Sequence, residues 1–239
     1  MIPKLEHINS NLANTKSLWS SFDSEELFNK NMSDHRKAAR LIKHGWDHPN
    51  KITYRYNSHG FRAPEFDNQL AGIALGCSFT EGVGLPVEHT WPAVLSQMLD
   101  FPIWNLGIGG SSADSCFRVL DHYIDHLNIE FVVMCVPNSK RFEFLDASGV
   151  QYVIPELKKP DYAIPFYKHW LTVDENAVIN QKKNLLAMQK ICDNKNIKLT
   201  YLHYTDFELI DEARDLAHPG IDANKNFALK VLKNYDNSN

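Results

Sequence analysis

Nothing in this 239-residue chain concentrates positive charge: 25 Lys and Arg stand against 29 Asp and Glu, for a net charge of −4. Both signs are mixed along the sequence, and no basic block supplies the footprint of a nucleic-acid binder. Long apolar runs are missing too. None approaches the roughly 18–20 residues needed to span a bilayer, and residues 1–7 open no signal-peptide core. The chain therefore reads as a soluble, cytoplasmic protein with no nucleic-acid partner and no membrane span. Cysteine is scarce. Cys77, Cys116, Cys135 and Cys192 lie far apart with no C-x-x-C pair, which argues against a zinc ribbon and gives no disulfide framework. His44 and His48 have the i, i+4 spacing of a metal pair, but Gly45 and Trp46 weaken a helix there and no third ligand is evident. No metal or cofactor is expected.

What is present is a chain that is 44% hydrophobic, enough for one large domain or a domain with an extension. Residues 1–70 are polar, with aromatics at Trp19, Phe22, Phe28, Trp46, Tyr54, Tyr56 and Phe61. They read as an arm packed on a main domain at 71–239. Segments 24–28 and 34–42 are predicted as short helices, begun by Ser24 and Asp34 as caps. The arm's aromatics fit packing better than a sugar-stacking platform. Arg62 suits a pairing with an acid in the domain, or else a substrate carboxylate or phosphate.

From residue 71 the pattern alternates. Segments 71–75, 102–106, 131–136 and 197–203 read as strands, and 90–99, 112–127, 175–192 and 222–232 as helices. Thr90 caps the first of these helices, with Pro92 in its first turn. Phe117, Leu120, Tyr123, Ile124 and Leu127 form one stripe on the second. The continuous apolar run at 131–136 is expected of a parallel strand covered on both faces. Residues 140–175 are proline-punctuated and read as a long excursion. This order predicts a three-layer α/β/α sandwich with a mostly parallel sheet.

Chemistry-bearing residues fall just past the strands, where open α/β sheets build their sites. Gly76-Cys77-Ser78-Phe79-Thr80 follows the first strand and Asn105-Leu106-Gly107-Ile108-Gly109-Gly110 the second. Val136-Pro137-Asn138-Ser139 ends the third, and Asp215-Leu216-Ala217-His218-Pro219 follows the last. Together they supply a serine, an acid, a base and candidate oxyanion donors. An Asp and a His three positions apart can face one cleft from a single turn. The serine does not sit in the Gly-x-Ser-x-Gly of an ordinary α/β-hydrolase, because position 80 is threonine.

In their order and spacing these four segments resemble the motifs of the SGNH hydrolases, the GDSL esterase superfamily. The resemblance spans roughly residues 54 to 232, including the lead-in Tyr56-Asn57-Ser58-His59-Gly60-Phe61-Arg62. Cys77 stands where the family has aspartate, and Val136 and Ser139 replace the glycine and aspartate that flank the family's asparagine, which marks a divergent branch. The resemblance implies a flavodoxin-like sheet. It implies Ser78 as nucleophile, His218 as general base and Asp215 as its orienting acid. Backbone N–H groups of Ser78 and Gly110 and the side-chain amide of Asn138 would form the oxyanion site. The implied activity is hydrolysis of a small carboxylic ester through an acyl-serine, with a carbohydrate O-acetyl ester as the favoured substrate. An O-acyltransferase using the same acyl-serine step, or an inactive binding module on the same fold, are the alternatives.

Overall fold

The computed structural model describes residues 2–6, 8, 10–146, 149–153 and 164–237. In chain order the arm carries β1 (Lys16–Ser17), α1 (Glu25–Ser33), α2 (His35–Lys43) and β2 (Tyr54–Arg55). The main alternation follows as β3 (Ala71–Leu75), α3 (Ser78–Glu81), α4 (Trp91–Leu99), β4 (Ile103–Asn105), α5 (Ala113–Tyr123) and β5 (Ile129–Val136). Next come β6 (Phe142–Asp146), β7 (Gly149–Val153), α6 (Ile164–Thr172), α7 (Asp174–Asn194), β8 (Lys198–His203) and α8 (Ile221–Asn237). Among the described residues no helix is long and apolar enough to cross a membrane.

The central sheet has four strands in the order β4-β3-β5-β8, and every pairing in it is parallel. The first strand of the unit lies inside and the second outside it, the flavodoxin-like order. Alternation along the strands sorts the core into two slabs. Val132, Met134 and Val136 of β5 join Ile73 and Leu75 of β3 against α5 and α7, where Val119, Leu120, Tyr123, Met188 and Cys192 are buried. Phe131, Val133 and Cys135 point the other way, with Ala74, against Trp91 and Leu95 of α4 and Phe227 and Val231 of α8. The continuous apolar run of β5 is thus explained by helices on both faces, and the architecture is a three-layer α/β/α sandwich.

Most predicted elements stand within a few residues of their expected ends. Ser24 and Asp34 cap α1 and α2 through side-chain acceptors, whereas the Thr90 hydroxyl donates to the Val87 carbonyl and leaves α4 without a side-chain cap. The excursion at 140–175 contains regular elements that its proline-punctuated pattern did not reveal. Strands β6 and β7 pair as an antiparallel hairpin and α6 follows. Glu143 of the hairpin takes an ion pair from Arg118 at 2.7 Å and a hydrogen bond from the Ser115 hydroxyl at 2.7 Å, which anchors it to α5. Part of that excursion, 147–148 and 154–163, lies outside the described residues.

Every loop of interest leaves the carboxyl edge of this sheet, and β3 is the tightest exit. Gly76 adopts φ +148°, and a Cβ there would lie 2.1 Å from Thr80 Oγ1 and 2.8 Å from the Cys135 carbonyl oxygen. Backbone conformation and backbone crowding both demand glycine. Gly76→Ala should therefore lower unfolding free energy by about 1–3 kcal/mol or more, read from the shift in urea midpoint. A change within about 0.5 kcal/mol, the range of an innocuous surface substitution, would show that the turn is not constrained in this way.

Candidate active site

Ser78 opens α3 directly after the Gly76–Cys77 turn, and Gly82 in the left-handed region closes that single helical turn. The serine is 4% exposed. Its Oγ lies 2.8 Å from His218 Nε2, across 140 positions of sequence. On the far side of the ring, His218 Nδ1 meets Asp215 Oδ2 in a short contact. The other carboxylate oxygen, Oδ1, accepts the backbone N–H groups of Ala217 and His218 at 3.1 Å each. Leu216 makes this tight loop possible by adopting φ +58°, an uncommon conformation for a branched residue. The Phe79 ring packs edge-on against the imidazole, with centroids 5.5 Å apart. Hydroxyl, imidazole and carboxylate are thus in line, the arrangement in which an imidazole can take a hydroxyl proton while a buried carboxylate holds its other nitrogen.

The loop after β4 shows why Gly110 is a candidate donor. Leu106 N–H donates to the Ala74 carbonyl, Ile108 N–H to that of Gly76 and Ser111 N–H to that of Ile108. Gly107 N–H is held by the Asn105 side-chain oxygen at 2.9 Å, and the Glu81 carboxyl group lies against Gly109, within reach of its N–H. Gly110 N–H has no hydrogen-bond partner among the described residues, and neither has the N–H of Ser78. Two unused donors on adjoining loops suit a developing oxyanion. Asn138 stands two residues past the end of β5, half-buried. Its Oδ1 accepts Lys140 N–H at 3.0 Å, which leaves the NH₂ end as the group it can offer. It makes no hydrogen bond to Ser78, Gly110, Asp215 or His218 among the described residues.

The arm reaches this machinery at several buried points that sequence reasoning did not find. Arg214, adjoining Asp215, is 0% exposed and forms an ion pair with Asp23, 1% exposed, at 2.6 Å. The same guanidinium donates to the carbonyls of Leu18 and Pro49 and lies over the Trp19 ring, 4.1 Å from its centroid. Asp23 also accepts the Tyr54 hydroxyl at 2.6 Å, and that hydroxyl accepts Gly84 N–H at 2.7 Å. Gly84 carbonyl in turn takes Arg214 N–H at 3.0 Å. Trp46 Nε1 donates to the Glu212 carbonyl at 2.8 Å, and Arg40 pairs with the Glu212 carboxylate. Residues 212–214, the approach to Asp215, are therefore clamped by the segment 18–23 ahead of α1, by α2 and the turn after it, and by β2. A signal was present in the sequence, since an arginine beside a motif aspartate needs a partner, but nothing local says that the partner is Asp23.

The other candidates settle differently. Arg62 donates to the carbonyls of Gly82 at 2.5 Å, Leu85 at 2.7 Å, Thr53 at 3.2 Å and Glu81 at 3.3 Å. Its donors bind backbone rather than the acid partner expected for it, so it braces the segment that follows Ser78. Phe28, Trp46, Tyr54 and Tyr56 are buried with Leu85 and Ala213, which makes them packing residues, while Trp19 and Phe22 are half-buried. His44 is the C-cap of α2, and His48 caps a separate short turn at 49–51, so the two do not share a helix face. Among the described residues no cluster of three or more His, Cys, Asp or Glu could hold a metal. All four cysteines are free and buried; burial pushes the Cys116 and Cys135 thiols well up.

No known family model and no curated protein matches this chain. Solved structures similar to it include a lipolytic protein of the G-D-S-L family from Desulfitobacterium hafniense DCB-2, with 18% identity over 68% of this chain and 97% of that one, at a TM-score of 0.36. A psychrotrophic esterase from a Pseudoalteromonas species is 16% identical over 72% of this chain and 100% of its own, at 0.38. An acetyl xylan esterase from the rumen bacterium Butyrivibrio proteoclasticus is 10% identical over 74% of this chain and 65% of its own, at 0.39. Likeness at this level leaves the geometry of the site to carry the functional reading.

Removing one partner of a buried ion pair leaves the other charge uncompensated. Asp23→Ala should therefore cost about 3–5 kcal/mol of stability, measured by chemical denaturation. A loss below about 1 kcal/mol, the value of an exposed pair, would mean that the arm does not clamp the approach to Asp215.

Proposed function

We propose that this chain is a metal-independent serine esterase of the SGNH type, acting on a small carboxylic ester through an acyl-serine intermediate. The observation that carries the reading is the unbroken line Ser78 Oγ–His218 Nε2, His218 Nδ1–Asp215 Oδ2, closed between segments 140 positions apart. A binding module has no need to keep a buried hydroxyl, an imidazole and a carboxylate in that relation.

In the proposed cycle His218 Nε2 accepts the Ser78 proton as Oγ attacks the ester carbonyl carbon. The carbonyl π pair moves to oxygen, and the resulting oxyanion is met by the N–H groups of Ser78 and Gly110 and the Asn138 amide. Collapse breaks the bond to the alcohol, which leaves with the proton from His218. Water then repeats the sequence on the acyl-serine and returns Ser78. Asp215 keeps the imidazole in the tautomer with hydrogen on Nδ1 and stabilises its charged form, without taking the proton itself. The position 82–84 backbone, braced by Arg62 and Tyr54, keeps α3 in place while this happens.

Five of the seven arm aromatics named above, Phe28, Trp46, Tyr54, Tyr56 and Phe61, are buried as core, which weakens the stacking platform that favoured a carbohydrate alcohol. The proposal is accordingly kept to small carboxylic esters, and acetyl, butyryl and longer aryl esters are the first substrates to try.

Ser78→Ala should fold normally and lose at least about 10³-fold in turnover, while Cys77→Ala keeps near-wild-type rates. The reverse pattern would make the thiol the nucleophile and end this reading. Asn138→Ala should lower kcat by roughly 10²–10³ with KM little changed; a raised KM with intact kcat would make Asn138 a binding residue instead.

His218 must be neutral to accept the Ser78 proton, so kcat/KM should fall along an acid limb as imidazole becomes protonated. Prolonged EDTA should leave activity unchanged. Loss of activity in EDTA with recovery on adding Zn²⁺ would contradict a serine mechanism.

A further inference from the structure

Glu81 is a buried carboxyl group that the proposed cycle does not use. It is 5% exposed, three residues beyond Ser78 at the end of α3. Its Oε1 accepts the Tyr56 hydroxyl at 2.6 Å. Its other side faces the loop after β4, where a Cβ on Gly109 would lie 2.8 Å from Oε2, which puts the carboxyl group within reach of Gly109 N–H. Phe22 closes over the same glycine from the arm, 2.8 Å from that Cβ position. A Cβ on Gly107 would meet Glu81 N at 2.4 Å, and Asn105 Nδ2 donates to the Thr80 carbonyl at 2.7 Å. Helix α3 and the loop at 105–110 are therefore joined as one piece, and the Glu81 carboxyl group is the joint nearest Gly110.

Such a joint is costly. Burial pushes the Glu81 carboxyl up, against the opposing pull of the Tyr56 hydroxyl, Arg62, Gly109 N–H and His218. Burial also pushes the Tyr56 hydroxyl well above the ordinary tyrosine range, so it remains a donor. An apolar side chain would fill this space without the desolvation penalty of a carboxylate. What an apolar side chain cannot do is take the Tyr56 hydroxyl of the arm on one oxygen and offer the loop a second acceptor on the other.

We infer that Glu81 and Tyr56 are positioning residues for the oxyanion site: the Tyr56–Glu81–Gly109 relay fixes the Ile108–Gly109 peptide, next to the one from which Gly110 offers its free N–H. The inference rests on the esterase reading for its kinetic consequence, but the relay itself can be read without any substrate. It also gives the arm a part in the reaction, through Tyr56. Because Tyr56 acts only through Glu81, the two changes must not add.

The test compares wild type, Glu81→Gln, Tyr56→Phe and the double variant, using p-nitrophenyl acetate turnover, phenylboronic acid inhibition and deuterium exchange at the Gly109 amide. Boronic acid forms a tetrahedral adduct on a serine and so reports the oxyanion site directly. Glu81→Gln keeps the volume but turns one acceptor oxygen into an NH₂ group. It should lower kcat about 10- to 100-fold with KM unchanged, the scale of a misplaced donor. Boronate affinity should weaken by a similar factor. Tyr56→Phe, the milder change, should give a smaller loss of the same kind, and the double variant should be no worse than Glu81→Gln. Gly109 amide exchange should quicken at least about tenfold in Glu81→Gln, since its acceptor is weakened.

Unchanged kcat in both single variants, a defect confined to KM, additive losses in the double variant or unaltered Gly109 exchange would each overturn the relay. If wild type hydrolyses no ester and binds no boronate, the esterase reading fails instead, and the exchange measurement still decides whether Glu81 holds Gly109.

Discussion

A 2.8 Å contact between Ser78 Oγ and His218 Nε2 sets the terms for the rest of the molecule. Its two ends come from the first strand of the parallel sheet and from a loop beyond the last, so no local structure can enforce it. The sheet brings the segments to one edge. Gly76 turns the chain sharply enough for the serine to emerge there, and Leu216 takes a left-handed conformation so that Asp215 and His218 share one turn. Each of these features is unfavourable or restrictive by itself. They are intelligible as the means of holding a hydroxyl, an imidazole and a carboxylate in line.

The sheet alone leaves the two ends free to drift, and the arm supplies the bracing. It does so with charge in places where charge is expensive. Arg214 and Asp23 are sealed from water together, Arg62 is buried among backbone carbonyls, and Glu81 lies beneath the loop of Gly110. Buried ionic groups add little net stability compared with apolar packing, but they tolerate few alternative arrangements. Each one here connects an arm residue to a segment within a few positions of Ser78, Gly110 or Asp215. The arm and the sandwich therefore act as one support for the site, whichever way the chain is divided into domains.

What could be read from the sequence was what is local. The apolar run of β5, the stripe on α5 and the caps Ser24 and Asp34 all depend on near neighbours, and they stand where they were expected, except that α5 stops at Tyr123 and leaves Ile124 and Leu127 of the stripe buried just beyond its end. Motif residues Ser78, Asp215 and His218 could be placed at strand ends, and the fold joins them by hydrogen bonds. The β6–β7 hairpin was missed although Phe142-Glu143-Phe144 carries the alternation of a strand, because prolines nearby and the shortness of the run hid it. Glu81 directly follows the Gly76–Thr80 motif, yet its burial depends on Tyr56 and Gly109, from two other segments. Arg62 and Arg214 were opaque for the same reason: a charged side chain does not say in sequence whether it meets water, a carboxylate or a carbonyl.

The central claim is that Ser78 is a nucleophile made reactive by His218, and covalent labelling addresses it without knowledge of the substrate. The native protein would be treated with a fluorophosphonate probe, digested and mapped by mass spectrometry, alongside His218→Ala. The account predicts a single adduct on Ser78, formed at least about 10³-fold more slowly in His218→Ala because the general base is gone. No labelling of the native protein, or labelling of Ser78 at the same rate without His218, would contradict it.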